Sequence, residues 1–174
     1  MRNIILQLAV SLDGFIEGPA GEFDWCFTDQ DYGMTNFSNR VDAMFLGRKT
    51  YELVLGMNDA TPPGFPPLKE YVFSRTLNQL EGDRILVNGD LVKTVSEIKS
   101  APGKDIWLYG GASLTSELIN RGLVDEMILA VHPILLGAGK PLFQNIEGRK
   151  KLELTGTESY SSGLVMLTYR FKKE

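Results

Sequence analysis

Apolar residues in this chain gather into short, dense runs. The run from Asn3 to Val10 opens the series, and Val41 to Leu46, Glu70 to Phe73, Arg84 to Val87, Asp105 to Tyr109 and Asp125 to Val131 follow it. Runs of this length, rich in Val, Ile, Leu and aromatics and stopped by glycine or small polar residues, predict β-strands. Segments between them have helical character: 29–40, which Asp29 is placed to cap, Gly47 to about Gly56, 91–100, and Ala112 to Arg121, stopped by Gly122. Strands alternating with helices predict an α/β fold, a parallel sheet joined by right-handed crossovers with helices on both faces. The C-terminus departs from this. Residues 151–158 and 164–171 are strand-like with only Tyr160-Ser161-Ser162-Gly163 to join them, which predicts an antiparallel hairpin on the sheet edge. Residues 15–28 read as irregular. Thr61-Pro62-Pro63-Gly64-Phe65-Pro66-Pro67 excludes regular structure and is too short to separate domains.

Two strand-to-helix junctions carry the candidate chemistry. Trp107-Leu108-Tyr109-Gly110-Gly111-Ala112-Ser113-Leu114 runs from an apolar strand through paired glycines into a helix. Amide groups at a helix start lack intrahelical partners, the dipole there is positive, and glycine lets a phosphate approach the backbone without meeting a Cβ. Met44-Phe45-Leu46-Gly47-Arg48-Lys49-Thr50-Tyr51 repeats the arrangement and adds two cations and a hydroxyl. Cations at a helix start oppose its dipole unless an anion is bound there, so this junction also points to a phosphate. Neither segment is a Gly-x-Gly-x-x-Gly fingerprint or a P-loop. In an open parallel sheet, ligands bind beyond the carboxyl ends of the strands. Ser11-Leu12-Asp13-Gly14, Ser74-Arg75, Asn88-Gly89 and Gly137-Ala138-Gly139 would share that rim. Ser74-Arg75 reads equally as a site for an adenosine 2′-phosphate or as an exposed loop.

Composition narrows the class. The 174 residues suit one domain, 1–174, with 43% hydrophobic and 23% charged residues and a net charge of −4. No basic arm suggests nucleic acid, because Arg149-Lys150-Lys151 and Lys172-Lys173 are short enough to be solvated surface. Cys26 is alone, so neither an intrachain disulfide nor a thiolate metal site is expected. The first apolar run reads as a strand rather than a secretory signal, and no stretch is long enough to span a bilayer. A cytoplasmic protein is expected. His132 lacks a partner for metal binding and reads as structural. Asp13, Asp24, Asp29 and Asp31 fall in or just after the first loop; most suit surface or capping roles, and any one could supply the proton that a reductase needs. Trp25 either packs in the core or lines a pocket. No Gly-x-Ser-x-Gly, His-Glu-x-x-His or Cys-x-x-Cys motif is present, which removes the commonest hydrolase and metal readings.

With these residues in view, the chain resembles the dihydrofolate reductase-like family, in particular the C-terminal reductase domain of bacterial riboflavin biosynthesis deaminase-reductases. The resemblance rests on Ser11-Leu12-Asp13-Gly14-Phe15-Ile16, Gly47-Arg48-Lys49-Thr50-Tyr51-Glu52, Tyr109-Gly110-Gly111-Ala112-Ser113-Leu114, Gly122-Leu123-Val124-Asp125-Glu126, and the run from His132 to Phe143. It implies a mostly parallel central sheet and NADPH as cofactor. Gly47, Arg48, Lys49, Thr50, Ser74 and Arg75 would hold the adenine-side phosphates, Tyr109 to Leu114 would carry the pyrophosphate, and Val10 and Ile16 would flank the nicotinamide. Hydride would pass to a pyrimidine- or pteridine-like ring, with 5-amino-6-(5-phosphoribosylamino)uracil reduction as the model reaction. On the substrate side it implies Asp13 and Trp25 as binding residues and Asp31, with Asp24 as rival, as the catalytic carboxylate. A homodimer is implied as well. The zinc deaminase ligands of the riboflavin enzymes are absent, so deamination by this chain is excluded. Dihydrofolate reductase activity and a nucleotide-binding sensor without catalysis are the alternatives.

Overall fold

The structure is a computed structural model that describes residues 1–57 and 65–172. In chain order its elements are β1 (Ile4–Ser11), β2 (Phe15–Glu17), α1 (Met34–Arg40), β3 (Val41–Gly47), α2 (Arg48–Gly56), β4 (Lys69–Phe73) and β5 (Ile85–Val87). There follow α3 (Leu91–Ser100), β6 (Asp105–Gly110), α4 (Ala112–Asn120), β7 (Glu126–His132), β8 (Lys140–Pro141), β9 (Leu152–Ser159) and β10 (Val165–Phe171). Eight strands form one sheet in the order β5-β4-β3-β6-β1-β7-β10-β9. Its first six members are mutually parallel, and β10 pairs antiparallel with both β7 and β9. The predicted edge hairpin is thus present.

The continuous apolar runs have a simple cause. Ile4 and Leu6 of β1 pack on one face with Val95 and Ile98 of α3 and Leu114 and Leu118 of α4, whereas Ile5 packs on the other with Phe37 of α1 and Tyr51 of α2. A strand covered on both sides has no solvent-facing positions to alternate. Phe45, Leu46, Ile106 and Leu108 are likewise fully enclosed in β3 and β6. At about 25 cal/mol per Å2 of apolar surface, each such side chain contributes on the order of 2 kcal/mol.

Two local expectations change. Asp29 does not cap the first helix: α1 starts at Met34 behind Gly33 at φ 77, while Asp29 accepts from the Tyr32 hydroxyl at 2.8 Å. Asp31 instead accepts from the Thr35 amide and hydroxyl, at 3.0 and 2.6 Å. Residues 15–28 are not wholly irregular, because β2 pairs with β8 in a separate two-stranded sheet. Strands of three and two residues are too short to show a period. The rest of that loop is held by His132, whose Nε2 accepts from the Phe27 amide at 3.1 Å while Nδ1 donates to the Ala130 carbonyl at 2.9 Å. Burial lowers the pKa of this imidazole and keeps it neutral. Trp25 and Phe27 pack on its ring, and the neighbouring Cys26 thiol is pushed up to about 11 by burial and the charge of Asp24. Of the break at 61–67, residues 61–64 lie outside the described residues, and 65–67 carry no regular structure.

Candidate functional site

The carboxyl ends of β3, β4, β5 and β6 finish level with one another, since Leu46 pairs with Gly110, Gly47 with Phe73, and Phe73 with Val87. The next residues turn into helices or loops around a groove of about 810 Å3. From the β3–α2 junction it takes Gly47, Arg48 and Lys49; from the β6–α4 junction it takes Gly111, Ala112, Ser113 and Leu114; the end of β4 adds Ser74 and Arg75. The two glycine junctions are side by side. A Cβ on Gly47 would stand 3.6 Å from the Gly110 carbonyl oxygen and 3.6 Å from Leu114 Cβ.

Helix α3 shows what the other two starts lack. Asp90 caps it by accepting from the Lys93 amide at 3.0 Å, whereas Gly47 and Gly111 give α2 and α4 no side-chain acceptor. Among the described residues no side chain caps the first-turn amides of α2 and α4, and such amides suit an anion. Gly110 and Gly111 lie at φ 134 and 49, in the region that favours glycine, and a Cβ on Gly111 would meet Thr50 Oγ1 at 3.1 Å. Backbone amides open to a phosphate, with no Cβ in front of them, fit the pyrophosphate of a dinucleotide. Lys49 and Arg75 are exposed, and Arg48 pairs with Glu52 at 2.8 Å. That pair partly relieves the conflict between Arg48 and the helix dipole. Being exposed, it is worth at most about 1 kcal/mol and yields readily to a stronger anion. Ser74 Oγ accepts from the amides of Thr76 and Leu77 at 3.2 and 3.0 Å, which shapes the turn that carries Arg75.

The remaining candidates lie outside the lining of this groove. Thr50 abuts Gly111 from behind. Tyr109 packs edge-on against Trp107 at 4.8 Å, and burial raises the pKa of its hydroxyl. Val10 is buried at the end of β1, and Ile16 packs on the core cluster that includes Val10. Asp13 accepts from Ser11 Oγ at 2.6 Å and from the amides of Leu136 and Gly137 at 3.1 and 2.8 Å, so its carboxylate already ties the loop after β7 to the end of β1. The Ser11 hydroxyl foremost, with those amides, holds Asp13 below the usual carboxylate range. Trp25 packs edge-on against His132 at 5.2 Å, with a buried indole nitrogen that has no acceptor among the described residues. Asp24 and Asp31 are both exposed, and Thr35 holds the Asp31 carboxyl below its usual range. In this arrangement Asp31 is an ionised hydrogen-bond acceptor.

The groove also contains residues that the sequence did not single out: Asp90, Thr76, Gln144 and Lys140. Lys140 belongs to β8 and pairs with Glu17 at 3.0 Å. Its only signal in the sequence is its place after Gly139, and its approach to the groove depends on the β2–β8 pairing. Among the described residues no helix is long and apolar enough to cross a membrane.

Comparison with known proteins agrees with this architecture. The family model of the RibD C-terminal domain matches residues 2–166. The Bacillus subtilis (strain 168) protein YyaP is 45% identical over 182 residues, spanning 98% of this chain and 95% of its own length. A solved structure from Shewanella sp. PV-4, named for riboflavin biosynthesis, superposes with a TM-score of 0.86 at 28% identity, covering 98% of this chain and 99% of that one. Dihydrofolate reductase from Enterococcus faecalis, complexed with NADP(H), superposes with a TM-score of 0.71 at 16% identity over 98% and 97% of the two chains. That last likeness is one of fold.

Proposed function

The chain belongs to the RibD C-terminal domain family, and from that premise we propose that it is an NADPH-dependent reductase of a small pyrimidine- or pteridine-type heterocycle. The observation that carries the reading is the pair of helix starts at Gly47 and Gly111, adjacent, without side-chain caps, and flanked by Arg48, Lys49 and Arg75. Solved relatives of the same fold are named for riboflavin biosynthesis and for dihydrofolate reduction with NADP(H), which favours this cofactor over other phosphorylated ligands.

In the proposed mechanism the amides of residues 111–114 would hold the pyrophosphate, and Arg48, Lys49 and Arg75 would take the adenosine phosphate. The nicotinamide, when bound, would supply the hydride. The chain's own task is orientation. Val10 and Ile16 provide an apolar edge beside the reacting ring, and ionised Asp31 accepts hydrogen bonds from ring N–H groups of the heterocycle. Asp24 is its rival for that role, and the Trp25 indole nitrogen is a donor without an acceptor that a ring carbonyl would satisfy.

The test is equilibrium titration of the purified chain with NADPH and NADH, followed by NADPH oxidation with 5-amino-6-(5-phosphoribosylamino)uracil and then dihydrofolate. Tight NADPH binding with turnover of the pyrimidine is expected. Failure to bind NADPH overturns the reading, and binding without turnover of either compound leaves a nucleotide sensor in its place.

A further inference from the structure

The opposite end of the sheet holds a second groove, larger at about 1030 Å3, formed by the end of α4, the loop into β7, the segment before β9 and the end of β10. Three stretches of chain far apart in sequence bring cations to it: Arg121; Arg149, Lys150 and Lys151; Arg170 and Lys172. Its carboxylates are largely spoken for. Asp125 pairs with Lys99 and Glu126 with Arg40, while Arg121 at the margin pairs with Glu117. Among the described residues Arg149, Lys150, Lys151, Arg170 and Lys172 have no ion-pair partner, and Glu153, across from Arg170 in the β9–β10 register, is the single lining carboxylate without one. Five cations against one carboxylate is a marked excess on a protein of net charge −4.

The convergence is built rather than incidental. The Lys172 amide donates to the Lys151 carbonyl at 3.1 Å, so the two cationic segments are fastened side by side. Asn120 at the end of α4 donates to the Asn145 carbonyl and accepts from the Glu147 amide, each at 2.9 Å, which docks the strand-leading segment onto the helix. The floor is apolar, with Ile119 and Val124 buried and Phe171 half-buried. Like charges held together over a low-dielectric floor repel one another and focus their field on the space between them, and an anion of several charges relieves that repulsion.

We propose that this groove, which shares only Arg121 with the lining of the nucleotide groove, is a second binding site for a small molecule carrying at least two phosphate charges. Its volume suits a ligand of metabolite size, and the apolar floor suits one with a ring or other apolar part beside the phosphates. Inorganic tripolyphosphate reports the phosphate share of that affinity.

The experiment is titration of the isotope-labelled full chain with tripolyphosphate, read by amide chemical shifts. Shifts are expected at 120–125, 149–151 and 170–172. The exposed triple substitution Arg149→Gln/Lys150→Gln/Lys151→Gln is expected to weaken binding there about tenfold, by loss of charge in the groove, while Arg48→Ala leaves these shifts in place. Unchanged melting of the triple variant confirms that the fold is intact. Shifts confined to residues around Gly47 and Gly111, affinity indifferent to the triple substitution, or tighter saturation of the same amides by a short RNA than by tripolyphosphate would each overturn the proposal. None of these readouts depends on NADPH.

Discussion

At Gly111 the backbone takes φ 49, and the nearest atom to a Cβ placed there is Thr50 Oγ1 at 3.1 Å. Gly111→Ala therefore meets conformational strain and a crowded neighbour together; it is expected to cost on the order of 1–2 kcal/mol in a denaturant melt. The same strain displaces the helix start whose amides are proposed for the pyrophosphate, so NADPH affinity should fall about tenfold, a loss of roughly 1.4 kcal/mol by titration. Arg48→Ala separates charge from shape. Its surface pair with Glu52 is worth about 0.5 kcal/mol or less, so stability should hardly move, yet NADPH binding should weaken about tenfold while NADH binding changes little. Equal loss for both cofactors would rule out contact with the extra phosphate. The glycines and cations of this site were legible as residue types at strand ends. That Glu52 engages Arg48, or that Thr50 stands behind Gly111 and not in the groove, was not, because one helical turn can present a side chain to ligand, neighbour or solvent.

Helix starts set the next scale. Helix α3 satisfies its own amides through Asp90, whereas α2 and α4 forgo that stabilisation at Gly47 and Gly111. Gly47 has ordinary extended backbone, and a Cβ there meets nothing closer than 3.6 Å, so Gly47→Ser fits and can cap α2. The variant should gain a few tenths of a kcal/mol in thermal stability while losing NADPH affinity, because the serine oxygen occupies the amides that the phosphate needs. A loss of affinity accompanied by a loss of stability would mean simple misfit instead. Asp31 is tested the same way. Asp31→Asn removes the charge that precedes α1 while leaving an acceptor for Thr35, and at this exposed side chain the melting temperature should hardly move. A fall of about tenfold in kcat/KM with unchanged NADPH affinity would mark it as a residue that orients substrate. The long elements were readable from their apolar runs and glycine stops. β2 and β8 were not, since a pairing between residues 15–17 and 140–141 leaves no local pattern.

Over the whole molecule, His132 couples the first loop to the end of the sheet, and its protonation governs how firmly. Its pKa in the folded protein lies below the ordinary value, so as pH falls through about 6.5 the unfolded chain takes up this proton first. The stability held by the neutral ring is complete above that pH and declines below it, until the folded protein also binds the proton. Thermal melting between about pH 7 and about pH 5 should show this decline, and His132→Gln should flatten it. By itself the sequence determined the α/β class, the parallel run of strands, the edge hairpin and the two helix starts behind glycine, because each follows from local period, turn residues and backbone sterics. Tertiary structure alone decided the strand order that sets β3 beside β6 and makes one groove of Gly47 and Gly111. It also decided the gathering of Arg149 to Lys151 with Arg170 and Lys172, and the placing of Asp13 in a backbone tie. Contacts between residues more than a hundred positions apart in sequence, such as Ser11 with His132, are chosen by packing and closure of the sheet, and no local pattern carries them.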